Sequence, residues 1–193
     1  MFLAIFRLAN LFLLGNGLYN SLTTKLPPHL VKSGQFQFIT NCSLLLAVIN
    51  LAFTILGLRS IWLYNLASNL EFNVIFSYWT MVLLFPQMVA EDEVDRNLFM
   101  DLQVHAFPYI YLIIDFQPRV SFATSVMLTG GFVFGYWFYI EWECGKHIAD
   151  GVSGYPYPFL KGKNKWQRLK CISVFAILAC CNWFILSIRS NSI

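Results

Sequence analysis

The sequence predicts an all-α integral membrane protein, folded as a single domain over residues 1–193 and built as a bundle of six transmembrane helices. Apolar residues make up 58% of the chain and charged residues 12%, with a mean hydropathy of +0.59. A soluble domain carries about 25% charged residues. The charges that remain lie mostly between long apolar runs, which indicates that lipid is the solvent for much of the chain.

Six apolar stretches give the predicted spans, and they cover residues 2–19, 38–58, 72–90, 104–117, 121–140 and 171–189. A spanning helix needs about 20 residues, so the short fourth stretch is expected to extend back through Leu102. The first stretch lacks the basic start and the small-residue cleavage site of a signal peptide, and we interpret it as a span. Its Arg7 is expected to snorkel toward the nearby helix end.

Basic residues in the connections predict the orientation. The first, third and fifth connections (20–37, 91–103 and 141–170) hold nine Lys and Arg, against three on the other side. By the positive-inside rule these three connections face the cytosol. The endoplasmic reticulum membrane is the expected location, since it is the default for a multi-span protein without another address.

Several ligand classes are not expected from the sequence. The basic residues form no recognisable nucleic-acid motif, so no nucleic-acid partner is predicted. The βαβ units of soluble cofactor-binding folds are absent, and no cofactor is predicted. Glu141, Glu143, Cys144 and His147 are close in sequence, but their spacing fits no zinc signature. We therefore predict no metal site.

Thr40 and His105 are the candidate catalytic residues, because both open a predicted span after an odd-numbered connection. In any six-span arrangement these two positions lie at the same membrane face. The segment YPYPFL at 155–160 belongs to the fifth connection and lies at that face too. A threonine hydroxyl is a weak nucleophile that needs an adjacent base, and histidine is the commonest one.

Spacing alone leaves other roles open for these side chains. A threonine in a membrane helix usually bonds its own backbone or a neighbouring helix, and a histidine at a helix end is often only interfacial. Asp101 precedes His105 by one helical turn and can either orient the imidazole or remain a solvated acid. Asp115 lies about 15 Å further along a helix axis, and it is expected to be an interfacial residue paired with Arg119.

Three segments resemble the androgen-induced and androgen-dependent TFPI-regulating protein family. FQFIT before an apolar helix resembles the FxFLT signature of that family, and HAFPYIYLIID resembles its segment of a histidine, an apolar helix and an acid. GYPYPFL resembles its WxYPFL segment before the last helix. The three occur in the family order and cover nearly the whole chain, although this chain is shorter and has Gly where the family has an aromatic residue before YP.

The resemblance implies a carboxylic ester hydrolase of the threonine-hydrolase type, which cleaves fatty-acid esters of hydroxy fatty acids. The family nucleophile falls on Thr40 and the essential histidine on His105. The lipid ester substrate enters from the bilayer, so membrane lipids surround the site. A non-catalytic multi-span protein that binds lipid or a partner protein is the alternative. A transporter ranks last, because it predicts mid-span charges and broken helices in matched halves.

Overall fold

The computed structural model describes residues 1–86 and 97–190, and these residues form helices and turns without a strand. Seven α-helices follow one another along the described chain: α1 (Phe2–Thr23), α2 (Ile39–Ile55), α3 (Ile61–Leu84), α4 (Leu98–His105), α5 (Phe107–Ile114), α6 (Phe122–Gly145) and α7 (Lys165–Ser190). Most of the third predicted connection, with Arg96, and the last residues of the third predicted span, 87–90, lie outside the described residues.

Short polar side chains begin three of these helices. The Ser60 hydroxyl accepts a hydrogen bond from the Leu63 amide (3.3 Å) at the start of α3, and the Ser121 hydroxyl accepts one from the Thr124 amide (3.2 Å) at the start of α6. The Asn97 side chain accepts from the Phe99 amide (3.0 Å) and caps α4. Such caps satisfy backbone donors that have no partner inside the helix.

The exterior of the bundle is apolar, as a membrane protein requires. Three helical segments of the described chain are long and apolar enough to cross a membrane, namely Phe2–Thr23, Phe122–Asp150 and Lys165–Ile188, and α2 is a shorter apolar helix. Large side chains face outward on the long helices, with Phe12 78% and Ile177 68% exposed. An aqueous protein would not expose so much apolar surface. The chain is therefore a membrane protein with an all-helical fold.

Helix α3 begins at Ile61, well before the predicted start of the third span at residue 72. Its first half contains Asn65, Ser68 and Asn69. These polar residues interrupt the apolar pattern, so the predicted span began too late. All three side chains are buried in the bundle. The hydropathy of the sequence therefore placed the start of α3 too late, because the polar residues in its first half face other helices rather than lipid.

The polar stripe joins α3 to α6 and α7 through hydrogen bonds. The Asn69 amide donates to the hydroxyls of Ser125 and Thr129, at 2.8 Å each. The Asn182 amide of α7 donates to the Ser68 hydroxyl (2.9 Å) and to the Asn69 carbonyl oxygen (3.1 Å). Because buried polar groups without partners are costly, this network fixes the register of three helices.

The fourth apolar stretch is divided into two short helices instead of forming one continuous span. The break falls at Ala106, whose backbone angles (φ −133°, ψ −52°) are not helical, and Pro108 stands in the first turn of α5. Proline has no amide hydrogen, and its ring collides with the carbonyl four residues earlier. The chain consequently ends α4 at His105 and restarts at Phe107.

Asp115 pairs with Arg7, so the predicted pair with Arg119 is wrong. The Arg7 guanidinium donates two hydrogen bonds of 2.8 Å to the two Asp115 oxygens, and the Tyr111 hydroxyl donates a third of 2.8 Å. Arg7 therefore does not snorkel to water, since only 14% of its side chain is exposed. The Arg119 guanidinium instead lies 4.3 Å from the centre of the Trp183 ring and donates to the Ser187 hydroxyl.

One end of the bundle gathers the first loop (residues 24–38) and the fifth loop (residues 146–164). Lys32 of the first loop forms an ion pair of 2.7 Å with Asp150 of the fifth, and the Gly154 amide donates to the His29 carbonyl (2.9 Å). The hydrogen bond from Lys32 lowers the pKa of Asp150 below its ordinary value. The fifth loop thus lies against the start of α2.

Candidate active site

The backbone that leads into α2 is fixed by a buried glutamine. The Gln37 side chain is fully buried, and its amide donates to the carbonyls of Leu30 (2.7 Å) and Gly34 (2.8 Å). Gly34 adopts a positive φ of 67°, a conformation that side chains with a Cβ rarely take. The Tyr136 hydroxyl of α6 donates to the Gln37 carbonyl. Residues 34–38 are therefore held in one conformation where the helix starts.

Thr40 is the second residue of α2, and its side chain lies beside the Tyr157 hydroxyl of the fifth loop. That hydroxyl also accepts a hydrogen bond from the Ile39 amide (2.9 Å). Burial raises the pKa of Tyr157 above its usual range, so the phenol is neutral and keeps its proton at neutral pH. Thr40 is partly exposed. The amides on both sides of it are paired, since Ile39 donates to Tyr157 and Asn41 donates to the Phe38 carbonyl (3.1 Å).

His105 is the last residue of α4, and its imidazole stacks on the Tyr78 ring of α3. The ring centres are 3.5 Å apart and the planes differ by 1°. The Nδ1 atom lies 3.2 Å from the backbone carbonyl of Asp101. A proton on Nδ1 satisfies that carbonyl and leaves Nε2 as an acceptor, which is the tautomer that a general base needs. Asp101 thus contacts the imidazole through its backbone, not through its carboxylate.

The two predicted catalytic residues lie at the same end of the bundle. Helices α2 and α3 form a hairpin across the short connection 56–60, so the start of α2 and the end of α3 are neighbours. Thr40 is at that start, and Tyr78, on which His105 stacks, is near that end. Within residues 1–86 and 97–190, no hydrogen bond joins the Thr40 hydroxyl to the imidazole. The catalytic pair stays a prediction.

Glu71 is a buried acid that sequence reasoning missed. Only 1% of it is exposed, its carboxyl group lies beside the Ser43 hydroxyl, and its Oε1 atom has no hydrogen-bond partner. Ser43 in turn donates to the Thr40 carbonyl (3.0 Å). The signal was present in the sequence as an acid flanked by apolar residues, but the predicted third span began one residue too late to include it.

Glu71 is expected to be uncharged. Among the described residues no Lys, Arg or His side chain forms an ion pair with it, and an isolated buried carboxylate is very costly. Glu141 provides the contrast. It is also buried in large part, but the Arg168 guanidinium donates to both of its oxygens (2.5 and 2.7 Å). Glu141 thus has a cationic partner, whereas Glu71 has none among the described residues.

Replacing Glu71 with Gln is therefore expected to change the stability of the folded protein by less than about 1 kcal/mol, because the amide resembles the neutral acid. The matched change Glu141→Gln leaves the Arg168 charge without its counter-ion and is expected to cost about 2 kcal/mol or more. Thermal midpoints of the purified variants in one detergent measure the difference. Equal losses in both variants would show that Glu71 is ionised.

The remaining acids and histidines do not form a metal site in the described part of the chain. No group of three or more His, Cys, Asp and Glu side chains converges there. Glu143 contacts Lys146 (2.7 Å) and His147 (3.8 Å) on the surface of one helical turn. This arrangement is a local ion pair with Lys146 and a contact with His147 at the end of α6.

Comparison with known proteins identifies the family. The model of the FAR-17a/AIG1-like proteins matches residues 2–191. The chain is also 23% identical over 200 residues to the "UPF0641 membrane protein YHR140W" of Saccharomyces cerevisiae, a match that covers 86% of this chain and 80% of the yeast protein. No solved structure matches the chain. The family match confirms the resemblance that the three sequence segments indicate.

Proposed function

Because the chain belongs to the FAR-17a/AIG1-like family, we propose that it is a six-span membrane ester hydrolase with Thr40 as nucleophile and His105 as base. In this proposal α4 and α5 together make the fourth crossing. The substrate is a fatty-acid ester of a hydroxy fatty acid, which enters from the bilayer, and the location is the endoplasmic reticulum membrane. The substrate class follows from the family resemblance.

One observation carries the proposal. A threonine stands in the first turn of α2, at the same end of the bundle as a histidine whose Nδ1 contacts a backbone carbonyl. The carbonyl favours the tautomer in which Nε2 accepts a proton. The start of α2 favours negative charge near Thr40, because it is the positive end of the helix dipole. These are the parts that acyl transfer needs.

The proposed reaction has two steps. His105 removes the Thr40 proton while the threonine oxygen attacks the ester carbonyl, and an acyl-threonine forms as the hydroxy fatty acid leaves with that proton. A water molecule, deprotonated by His105, then attacks the acyl group and releases the fatty acid, and the proton returns to the Thr40 oxygen. No oxidant or second substrate besides water is required.

The alternative is a non-catalytic protein that binds lipid or a partner protein, and one observation favours it. In the described residues Thr40 and His105 contact other side chains, Tyr157 and Tyr78, and not each other. For hydrolysis the two groups must meet through the substrate or through a small rearrangement. Catalytic hydrogen bonds are often long in the absence of substrate, so this separation is compatible with the proposed hydrolysis.

A fluorophosphonate probe tests the proposal, because it labels activated hydroxyl groups. Purified protein in detergent is treated with the probe, and mass spectrometry locates the adduct. We expect an adduct on Thr40 that disappears in His105→Ala. Thr23→Val is the matched control, because the Thr23 hydroxyl is exposed and bonds only the carbonyls of its own helix. A folded protein without an adduct on Thr40 would favour the binding alternative.

A further inference from the structure

The start of α7 carries a basic surface that the proposed reaction does not use. Residues 163–170, called the basic segment below, contain no Asp or Glu, and their charged side chains are Lys163, Lys165, Arg168 and Lys170. We propose that the basic segment binds the headgroups of anionic phospholipids at the end of the bundle where Thr40 lies. This binding concerns the membrane around the protein, so it can be tested without any hydrolytic activity.

The three acids between the end of α6 and the start of α7 already have basic partners. These ion pairs are Glu141 with Arg168 (2.5 Å), Glu143 with Lys146 (2.7 Å) and Asp150 with Lys32 (2.7 Å). Within residues 1–86 and 97–190, no carboxylate forms an ion pair with Lys163, Lys165 or Lys170. The positive charges of these three lysines therefore remain for a partner outside the described chain.

Trp166 and Lys170 lie on the lipid-facing side of α7. They are followed on the same helix face by Val174 and Ile177, since these four residues are three or four positions apart. All four are exposed, with Trp166 67% and Val174 64% exposed. The apolar segment that can cross the membrane begins at Lys165. Trp166 and Lys170 therefore lie where the lipid-facing side of α7 reaches the headgroups, the level at which tryptophan is enriched.

Lys165 and Lys163 extend the basic surface beyond Lys170. The Lys165 ammonium lies 5.3 Å from the centre of the Trp137 ring of α6. A contact between a cation and an indole ring holds the ammonium in place without neutralising its charge. The Lys163 carbonyl accepts a hydrogen bond from the Arg168 guanidinium, which ties the backbone before α7 to the first turns of the helix. The three lysines are thus presented together at one end of α7.

An anionic headgroup complements this surface in charge and in position. Lysines that lie just outside a membrane-spanning segment attract anionic lipids, and each such lysine strengthens the attraction. The rival partner is the acidic stretch EDEVD at 91–95, which the sequence predicts at the same membrane face and which lies outside the described residues. Trp166 and Lys170 face lipid rather than a neighbouring helix, and this orientation favours the headgroup.

Spin-labelled lipids measure the proposed binding. The purified protein is reconstituted in phosphatidylcholine bilayers, and electron paramagnetic resonance compares the association of spin-labelled phosphatidylserine with that of spin-labelled phosphatidylcholine. We expect the preference for phosphatidylserine to fall about three- to tenfold in Lys163→Gln/Lys165→Gln/Lys170→Gln. The variant Lys163→Arg/Lys165→Arg/Lys170→Arg keeps the charges and is expected to keep the preference. Salt at about 0.5 M is expected to reduce the preference of the wild-type protein.

Lys25→Gln is the matched control for Lys170→Gln, because each removes one exposed lysine at the same end of the bundle and only Lys170 belongs to the basic segment. The preference is expected to fall in Lys170→Gln and to stay near the wild-type value in Lys25→Gln. Equal losses in the two variants would show a diffuse effect of surface charge and would overturn the proposal. An unchanged preference in the triple Gln variant would overturn it as well.

Thermal unfolding in a neutral detergent checks folding and tests the acidic stretch 91–95 as the partner. No anionic headgroup is present in that detergent, so the triple Gln variant is expected to unfold at the wild-type midpoint. Phosphatidylserine added to the micelles is expected to raise the midpoint of the wild-type protein and not that of the variant, because a ligand stabilises the state that binds it. A variant midpoint lower by more than about 3 °C before lipid is added would indicate that the lysines pair with acids of the chain, and it would contradict the proposal.

Discussion

Thr40→Ala is expected to reduce hydrolysis of a fatty-acid ester of a hydroxy fatty acid at least about 10³-fold, because it removes the atom that attacks the carbonyl. Thr40→Ser is expected to retain measurable turnover, since a serine oxygen can take the same role. The protein should stay folded in both variants. Release of free fatty acid by purified protein measures the rates, and Thr23→Val is the control for loss of an exposed hydroxyl.

The double variant Thr40→Ala/His105→Ala sharpens this test. If the hydroxyl and the imidazole act in one step, removal of both costs no more than removal of either, because each alone already abolishes the step. Two small losses that multiply in the double variant would instead indicate two independent contributions to stability or lipid binding. That result would favour the non-catalytic alternative.

The apolar stretches predicted the positions of most helices, because the outer surfaces of α1, α6 and α7 face lipid and are continuous in sequence. The same method placed the start of α3 too late. Asn65, Ser68 and Asn69 lower the hydropathy of its first half, and their partners are on α6, α7 and the segment after α5. A linear profile contains no information about which face of a helix meets another helix.

Pairings between distant residues were the part that the sequence did not supply. Asp115 was expected to pair with nearby Arg119, but its partner Arg7 is on the first helix. Tyr157 was predicted to share a membrane face with Thr40, and only the structure shows that its hydroxyl accepts a hydrogen bond from the amide of Ile39, the residue before Thr40. Span counting determines which end of the bundle a residue occupies. It does not determine which neighbour it contacts there.

The ion pair of Arg7 and Asp115 gives the largest expected effect on stability. Asp115→Ala leaves the Arg7 guanidinium, which is only 14% exposed, without its two carboxylate hydrogen bonds of 2.8 Å. A buried charge that loses its partner typically costs about 3–5 kcal/mol. For a chain of this size that corresponds to a thermal midpoint lower by roughly 10 °C. Thermal unfolding in one detergent measures the shift, and Lys170→Ala, which changes an exposed residue, is the control.

Removing both charges shows whether the stability lost in Asp115→Ala comes from the uncompensated Arg7 charge or from lost packing. In Arg7→Leu/Asp115→Leu the uncompensated charge is gone and apolar groups occupy the space, so the double variant is expected to be more stable than Asp115→Ala. The Tyr111 hydroxyl loses its acceptor in both cases, and its contribution cancels in the comparison. If the double variant were less stable than Asp115→Ala, the loss in Asp115→Ala would not come from the uncompensated charge of Arg7.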